Sequence, residues 1–187
     1  MSLGRCLFYN RGLGMEIRKV NREEITSVME IIEEGRALLK TTSKQWQNGY
    51  PNKDSLLSDI DHGFLYGAYI NDKLVGVEAL VHDIFNVDYD EIEGKWVIPY
   101  TEKDLVIHRI AVKKEYHHQK VGDALMKFAY QYAKDHHIPS IKIDTHRKNI
   151  PMQKLCMNNG YHLSGVIYIK RVEPDPSRLI FEKSITE

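Results

Sequence analysis

The stretch LVIHRIAVKKEYHHQKVGDALM, residues 105–126, carries the most informative pattern in the chain. Its first part is nearly all apolar, which predicts a buried central strand, and apolar residues then recur at helical spacing, which predicts a helix over residues 119–136. A helix N-terminus presents free N–H groups and the positive end of the helix dipole, and both favour an anion. The loop between strand and helix, residues 113–122, is therefore a candidate phosphate-binding loop, and Gly122 allows close approach of its backbone.

Outside this stretch, the pattern alternates between strands and helices. Residues 71–73 favour a hairpin turn, and Asn149 followed by Pro151 is typical of a helix start. Further strands are predicted at residues 15–20, 64–70, 74–81, 141–143, 161–169 and 178–185, and further helices begin near Asn21 and Pro51. The order β, α, α, β, β, β, α, β, α, β, β predicts one α/β domain on a mixed sheet over residues 15–187. Residues 1–14 are interpreted as a leader outside the core.

Composition excludes several classes of protein. Hydrophobic residues are 42% and charged residues 28% of the chain, as in a soluble globular protein. Lys and Arg together number 26, as do Asp and Glu, so the basic excess typical of nucleic-acid binding is missing. No apolar run is long enough for a membrane helix. Two cysteines make no disulfide framework, so a cytoplasmic location is expected.

Two segments together resemble the GNAT superfamily of acetyl-CoA-dependent N-acetyltransferases. Residues 108–126 are similar to its central motif, in which a strand ending in Ala-Val passes through an Arg/Gln-x-x-Gly-x-Gly/Ala loop into a helix. Residues 149–161 are similar to its second signature, in which Asn starts a helix that ends in Gly-aromatic. The resemblance implies a GNAT-like fold: a central, mixed, twisted sheet of about six to seven strands flanked by about four helices.

The resemblance also implies which residues contact acetyl-CoA. The backbone of the strand end would pair with the pantetheine arm, the loop would hold the pyrophosphate, and the second helix would contact the cofactor. The implied residues are Ile110, Ala111, Val112, His117, His118, Gln119, Lys120, Val121, Gly122, Asn149 and Cys156.

The loop departs from the family pattern. With Gly122 on the last glycine, His117 stands where the family has Arg or Gln, and His118 and Lys120 stand where it usually has glycines. This alignment also matches Ala111-Val112 to the strand end.

A rival alignment puts Gln119 first, Gly122 on the middle glycine and Ala124 last. It fits the residue types, but it lengthens the connection between strand and loop.

A second departure concerns the proton that the departing CoA thiolate takes up. Many family members have a Tyr seven residues after the helix-starting Asn, and here that position is Cys156. A thiol with a pKa of about 8.5 can donate this proton, as can water. A buried small hydrophobe is the alternative interpretation of Cys156.

The acceptor amine also needs a base. Strand alternation puts His108 on the same face as Val106 and Ile110, and an unperturbed histidine titrates at about 6.5, so His108 is a candidate base. A hydrogen-bonded core histidine is the other interpretation. Glu78, Asp144 and His146 are other candidates for the base and for acceptor binding. Trp46 and Tyr50 are candidates for the wall of the acceptor pocket, and they fit the core equally well.

The sequence therefore predicts N-acetylation of a primary amine, on an unidentified small molecule or peptide, by direct transfer within a ternary complex. No metal, nucleic-acid or membrane partner is expected, because adjacent histidines are poor chelators without further ligands. A homodimer is common among such domains. Two alternatives are a GNAT-like domain that senses acyl-CoA without turnover and an unrelated α/β interaction domain.

Overall fold

The computed structural model describes residues 8–10, 14–169 and 175–185. The helices are α1 (Ile25–Lys40), α2 (Lys53–Asp61), α3 (Val121–Asp135) and α4 (Ile150–Asn158). The strands are β1 (Phe8–Asn10), β2 (Met15–Lys19), β3 (Leu65–Ile70), β4 (Lys73–Val81), β5 (Glu93–Gly94), β6 (Leu105–Val112), β7 (Ser140–Thr145), β8 (His162–Tyr168) and β9 (Ser177–Ser184). Most of the segment interpreted as a leader lies outside the described residues, and its residues 8–10 pair with β2.

The described strands form one sheet in the order β1-β2-β3-β4-β6-β7-β9-β8-β5. The β6–β7 pair is parallel and its neighbours are antiparallel, so the predicted mixed α/β architecture is confirmed. The sheet exceeds the predicted six to seven strands because β1 and β5, of three and two residues, extend its edges. The predicted hairpin joins β3 to β4, and Asn71 and Asp72 at its turn both have the positive φ of a tight two-residue turn.

Each face of the sheet is covered differently. The α3 face carries the largest apolar cluster, which includes Leu105 and Ile107 of β6. The opposite face, called the α1 face, carries two separate clusters. One packs α1 and α2 against β3 and β4, and the other packs residues 89–100 against Val106, Ile167 and Ile180. The α1 face is therefore divided near β6.

A buried charge cluster anchors the long segment before β6. The ammonium of Lys142 lies 2.8 Å from Ser140 Oγ, 3.2 Å from Glu182 Oε1 and 3.6 Å from Asp104 Oδ2. Glu182 accepts two backbone N–H bonds at 2.9 Å from residues 97 and 98. Burial alone would raise the pKa of Glu182, but these N–H groups and Lys142 lower it below its ordinary value.

Candidate active site

Strands β6 and β7 separate into a wedge. The described residues pair the two strands at Leu105↔Ile141 and Val106↔Lys142, whereas β6 remains paired with β4 as far as Val112. Beyond Val106, the edge of β6 that faces the wedge thus has no strand partner among the described residues. An extended ligand with amide groups can pair with this free edge as an added strand does.

A β-bulge in β6 lies beside the wedge. The register with β4 shifts between Val77 and Ala79, opposite Arg109, whose φ is +54°. The extra residue moves Ile110 to the α3 face, where it packs with the cluster of Leu105 and Ile107. The prediction that Val106 and Ile110 share a face is therefore wrong, and His108 remains on the α1 face with Val106.

An ion pair holds this bulge from the α1 face. The Arg109 guanidinium lies 3.0 Å from the Asp59 carboxylate of α2, and both side chains are largely buried. The Tyr50 ring lies 5.4 Å from the same guanidinium. Burial raises the pKa of Asp59 to about 6, although Arg109 acts to lower it. An arginine backbone in the left-handed conformation costs about 1–2 kcal/mol relative to the right-handed one. The buried ion pair with Asp59 stabilises Arg109 in this conformation.

Several charged and polar side chains lie between the two apolar clusters of the α1 face. Tyr50 lies within electrostatic reach of Arg109, Asp59 and Asp144. Asp144 stands near the end of β7 and accepts a hydrogen bond of 2.7 Å from the hydroxyl of the fully buried Tyr89. The structure thus brings Tyr50 and Asp144 near each other. Trp46 packs against the α1 cluster that contains Ala111.

A cleft of about 400 Å³ opens beside the end of β7. Its walls are the segment after α1 and the segment after β7, and it is lined by Lys40, Thr41, Thr42, Ser43, Lys44, His146, Lys148 and Asp175. His146 is nearly buried in its wall, donates from Nε2 to Asp175 at 2.8 Å and accepts at Nδ1 from the Lys148 N–H at 3.1 Å. Since both ring nitrogens are engaged, His146 shapes the cleft.

The loop after β6 is held in place at several points. His117 donates from Nε2 to the Val112 carbonyl at 3.0 Å, and the Lys114 N–H bonds Glu34 of α1 at 2.6 Å. Helix α3 then begins at Val121 without a side-chain cap. Its first N–H groups are therefore available to an anion.

Helix α4 packs against the start of α3. A Cβ at Gly122 would lie 3.3 Å from the Leu155 side chain, so the missing side chain lets the two helices approach each other. Asn149 caps α4 by accepting from the Met152 N–H at 3.3 Å, which leaves its side-chain NH₂ for other partners.

Cys156 and Glu78 are both fully buried on the α3 face. Burial raises the pKa of the Cys156 thiol to about 12, which makes it a weaker acid than an ordinary thiol. Glu78 pairs with Tyr66, which packs against Phe128 of α3. The structure therefore places Glu78 across the sheet from Trp46 and Tyr50.

A family model described as "Acetyltransferase (GNAT) family" matches residues 29–161, more than half of the chain. The chain belongs to the GNAT acetyltransferase family. A GNAT-family acetyltransferase from Streptococcus agalactiae 2603 is similar in structure, with 31% identity and a TM-score of 0.80, over 97% of this chain and 99% of that one.

More distant structures share the GNAT fold. PaiA N-acetyltransferase from Thermoplasma acidophilum, in complex with coenzyme A, has 21% identity and a TM-score of 0.67, over 91% of this chain and 98% of that one. A putative acetyltransferase from Staphylococcus aureus Mu50 has 24% identity and a TM-score of 0.69, over 91% and 99% of the two chains. No curated protein matched.

The loop conformation fits the first of the two alignments with the GNAT motif. His118 and Lys120 both have φ of +63°, in the left-handed region that glycine adopts most easily. Lys120 stands at the first glycine of the motif quoted above, and His118 stands at an unspecified position of it where family members usually have a further glycine. The chain therefore keeps the backbone shape of a glycine loop with larger residues.

Lys120→Gly is expected to raise the free energy of unfolding by up to about 1 kcal/mol, because glycine avoids the left-handed penalty at this position. The exposed Lys120–Asp123 ion pair, 3.7 Å long, contributes little in return. Urea denaturation measures the change. Lys113→Gly is the matched control, since φ there is −53°, and it should destabilise. A loss of stability in Lys120→Gly would contradict this account of the loop.

Sequence reasoning missed several residues of this GNAT site. Arg109 and Asp59 meet only because of the bulge, and Tyr89 reaches Asp144 across 55 positions of the chain. Tyr161 carries no local signal beyond its place as the aromatic residue after Gly160 in the second signature.

No described helix is long and apolar enough to cross a membrane. The described residues include no group of three or more His, Cys, Asp or Glu side chains that could hold a metal.

Proposed function

We propose that this chain transfers the acetyl group of acetyl-CoA to a primary amine of a small molecule or peptide, directly and within a ternary complex. The free edge of β6 in the wedge carries this proposal. The N–H and C=O groups of this edge would be available to acetyl-CoA on the α3 face. The acceptor amine would enter on the α1 face, between its two apolar clusters.

The residues on the α3 face fit an acyl-CoA. The backbone of residues 110–112 would pair with the amides of the pantetheine arm, as an added strand does. Residues 117–122 would hold the pyrophosphate through the N–H groups at the start of α3. The free amide NH₂ of Asn149 would donate to the same ligand. The coenzyme A bound to the PaiA N-acetyltransferase supports this assignment.

The acceptor amine would enter from the α1 face, between Tyr50 and Asp144. His108 lies on that face beside the bulge and is the proposed base, which takes the proton that the amine nitrogen gives up. Trp46 would form part of the wall, and the cleft near His146 would receive the remainder of the acceptor. A cytoplasmic location and a homodimer stay predictions.

A domain that binds acyl-CoA without turnover is the alternative. The high pKa of Cys156 favours it, because the position of the family's usual proton donor holds a weak acid. Turnover of any amine decides between the two.

Acetyl-CoA is expected to stabilise the fold, by about 2.7 kcal/mol at a hundred times its dissociation constant. A thermal-shift titration with acetyl-CoA, with adenosine as the control ligand, measures this. A panel of polyamines, aminoglycosides, amino acids and peptides is then incubated with the protein and acetyl-CoA. Release of the CoA thiol identifies the acceptor. No shift at millimolar acetyl-CoA would contradict the assignment of the cofactor site.

A further inference from the structure

Three polar groups are buried near one another inside the α3 face, beside the wedge. They are the carboxyl of Glu78, the thiol of Cys156 and the hydroxyl of Tyr161, and all three side chains are at least nine-tenths buried. Both oxygens of Glu78 and the hydroxyl of Tyr161 have no hydrogen-bond partner among the described residues. Folded proteins pair nearly all such atoms, since leaving one unpaired in the interior is costly. Unpaired polar atoms at a ligand site indicate partners that arrive with the ligand.

The position of these groups relates them to the reacting sulfur. Glu78 lies in β4 where the register with β6 shifts, next to the bulge. Tyr161 is within electrostatic reach of both Glu78 and Cys156. Cys156 occupies the position from which the family's usual proton donor acts, seven residues after Asn149. The thioester sulfur of a ligand paired with β6 would therefore lie against this cluster.

The environment of Glu78 favours its neutral form. Burial raises its pKa well above the ordinary value, and no cation among the described residues opposes this effect. Tyr66 of β3 lies opposite Glu78, and Tyr161 lies within electrostatic reach of it. Ordinary pKa values are about 4.3 for a glutamic acid, 8.5 for a thiol and 10 for a phenol, so the carboxyl is the strongest acid of the three by nature. A carboxylic acid kept neutral by burial can donate a proton.

We propose that Glu78 and Tyr161 form a proton relay to the departing CoA sulfur. This rests on the proposed function. As the C–N bond forms and the C–S bond breaks, Tyr161 gives its hydroxyl proton to the thiolate. A water molecule carries the carboxyl proton of Glu78 to the phenolate of Tyr161, because the two side chains are not hydrogen-bonded to each other. The proton from the new amide nitrogen goes to His108, on the other face of the sheet. After CoA leaves, Glu78 recovers a proton from solvent and His108 loses one.

The relay is tested with Glu78→Gln, which keeps the volume and neutral state of the side chain but has no acidic proton. It should fold as the wild type does, bind acetyl-CoA with little change in KM, and lose about 10²–10⁴-fold in kcat. The wild-type rate should fall at high pH as Glu78 ionises, and this alkaline limb should vanish in Glu78→Gln. Tyr161→Phe should show a similar loss, whereas Tyr130→Phe, which removes a hydroxyl on α3 outside the site, should not.

Three results would overturn the proposed relay. A kcat within threefold of the wild type in Glu78→Gln, with the alkaline limb retained, would overturn the relay while leaving acetyl transfer in place. A large loss in Cys156→Ala without one in Glu78→Gln would assign the proton to the thiol and also overturn it. A wild-type protein that binds acetyl-CoA but acetylates no amine would contradict both the relay and the proposed function.

Discussion

Lys142→Ala is expected to lower the free energy of unfolding by about 3–5 kcal/mol, because it leaves the carboxylates of Asp104 and Glu182 buried without their cation. The Trp96 ring, 4.5 Å from the Lys142 ammonium, also loses its cation–π partner. The backbone of residues 97 and 98 is tied to Glu182, so the segment before β6 should loosen as well. Urea denaturation followed by far-UV circular dichroism measures the change.

Lys95→Ala is the matched control, because Lys95 belongs to the same segment and is exposed to solvent. It should change the free energy of unfolding by less than about 0.5 kcal/mol. If Lys142→Ala were as stable as this control, the buried cluster would contribute nothing to the fold, and the anchoring of the segment would need another explanation.

Arg109→Ala should be comparably destabilising, by about 3–5 kcal/mol, because the Asp59 carboxylate would remain buried without its partner. It should also lower kcat, since the ion pair holds the bulge that lies next to His108 and precedes residues 110–112, which are proposed to pair with the cofactor. Adding Asp59→Asn to this variant should recover part of the stability by removing the unpaired charge, and a double-mutant cycle gives the coupling between the two residues.

An exposed ion pair provides the control for this variant. Arg22 pairs with Asp61 at the end of the same helix α2, and about half of each side chain is accessible to solvent. Arg22→Ala should have little effect on stability. An Arg109→Ala variant with unchanged stability and unchanged kcat would show that the bulge holds its shape without Asp59.

The order of the main elements was predictable because local signals mark them. Asn71-Asp72 favours the hairpin turn, the apolar stripe from Val121 defines α3, and Asn149 with Pro151 marks the start of α4. The free edge of β6 followed from the resemblance to the family. Each of these inferences depends on residues close together in the chain.

Features that depend on distant contacts were not predictable. Arg109 carries no local signal for a positive φ, and its partner Asp59 is 50 positions away. The alternation Ile141-Lys142-Ile143 is typical of a strand with its lysine in water, yet Lys142 is fully buried because two carboxylates and the segment before β6 enclose it. The face of Ile110 was assigned incorrectly for the same reason, since a bulge reverses the alternation of every residue after it.

The division of the α1 face has an evolutionary consequence. Residues 41–52, after α1, and residues 82–104, before β6, pack on separate clusters and are fixed by separate anchors, Arg36 for the first and Glu182 for the second. We therefore expect that either segment can be exchanged by recombination or insertion with little effect on the other, and neither forms the loop that would bind the pyrophosphate. Descendants of this chain could thus acquire new acceptors one segment at a time while inheriting an unchanged acetyl donor, and grafting these two segments between relatives is a direct way to exchange selectivity.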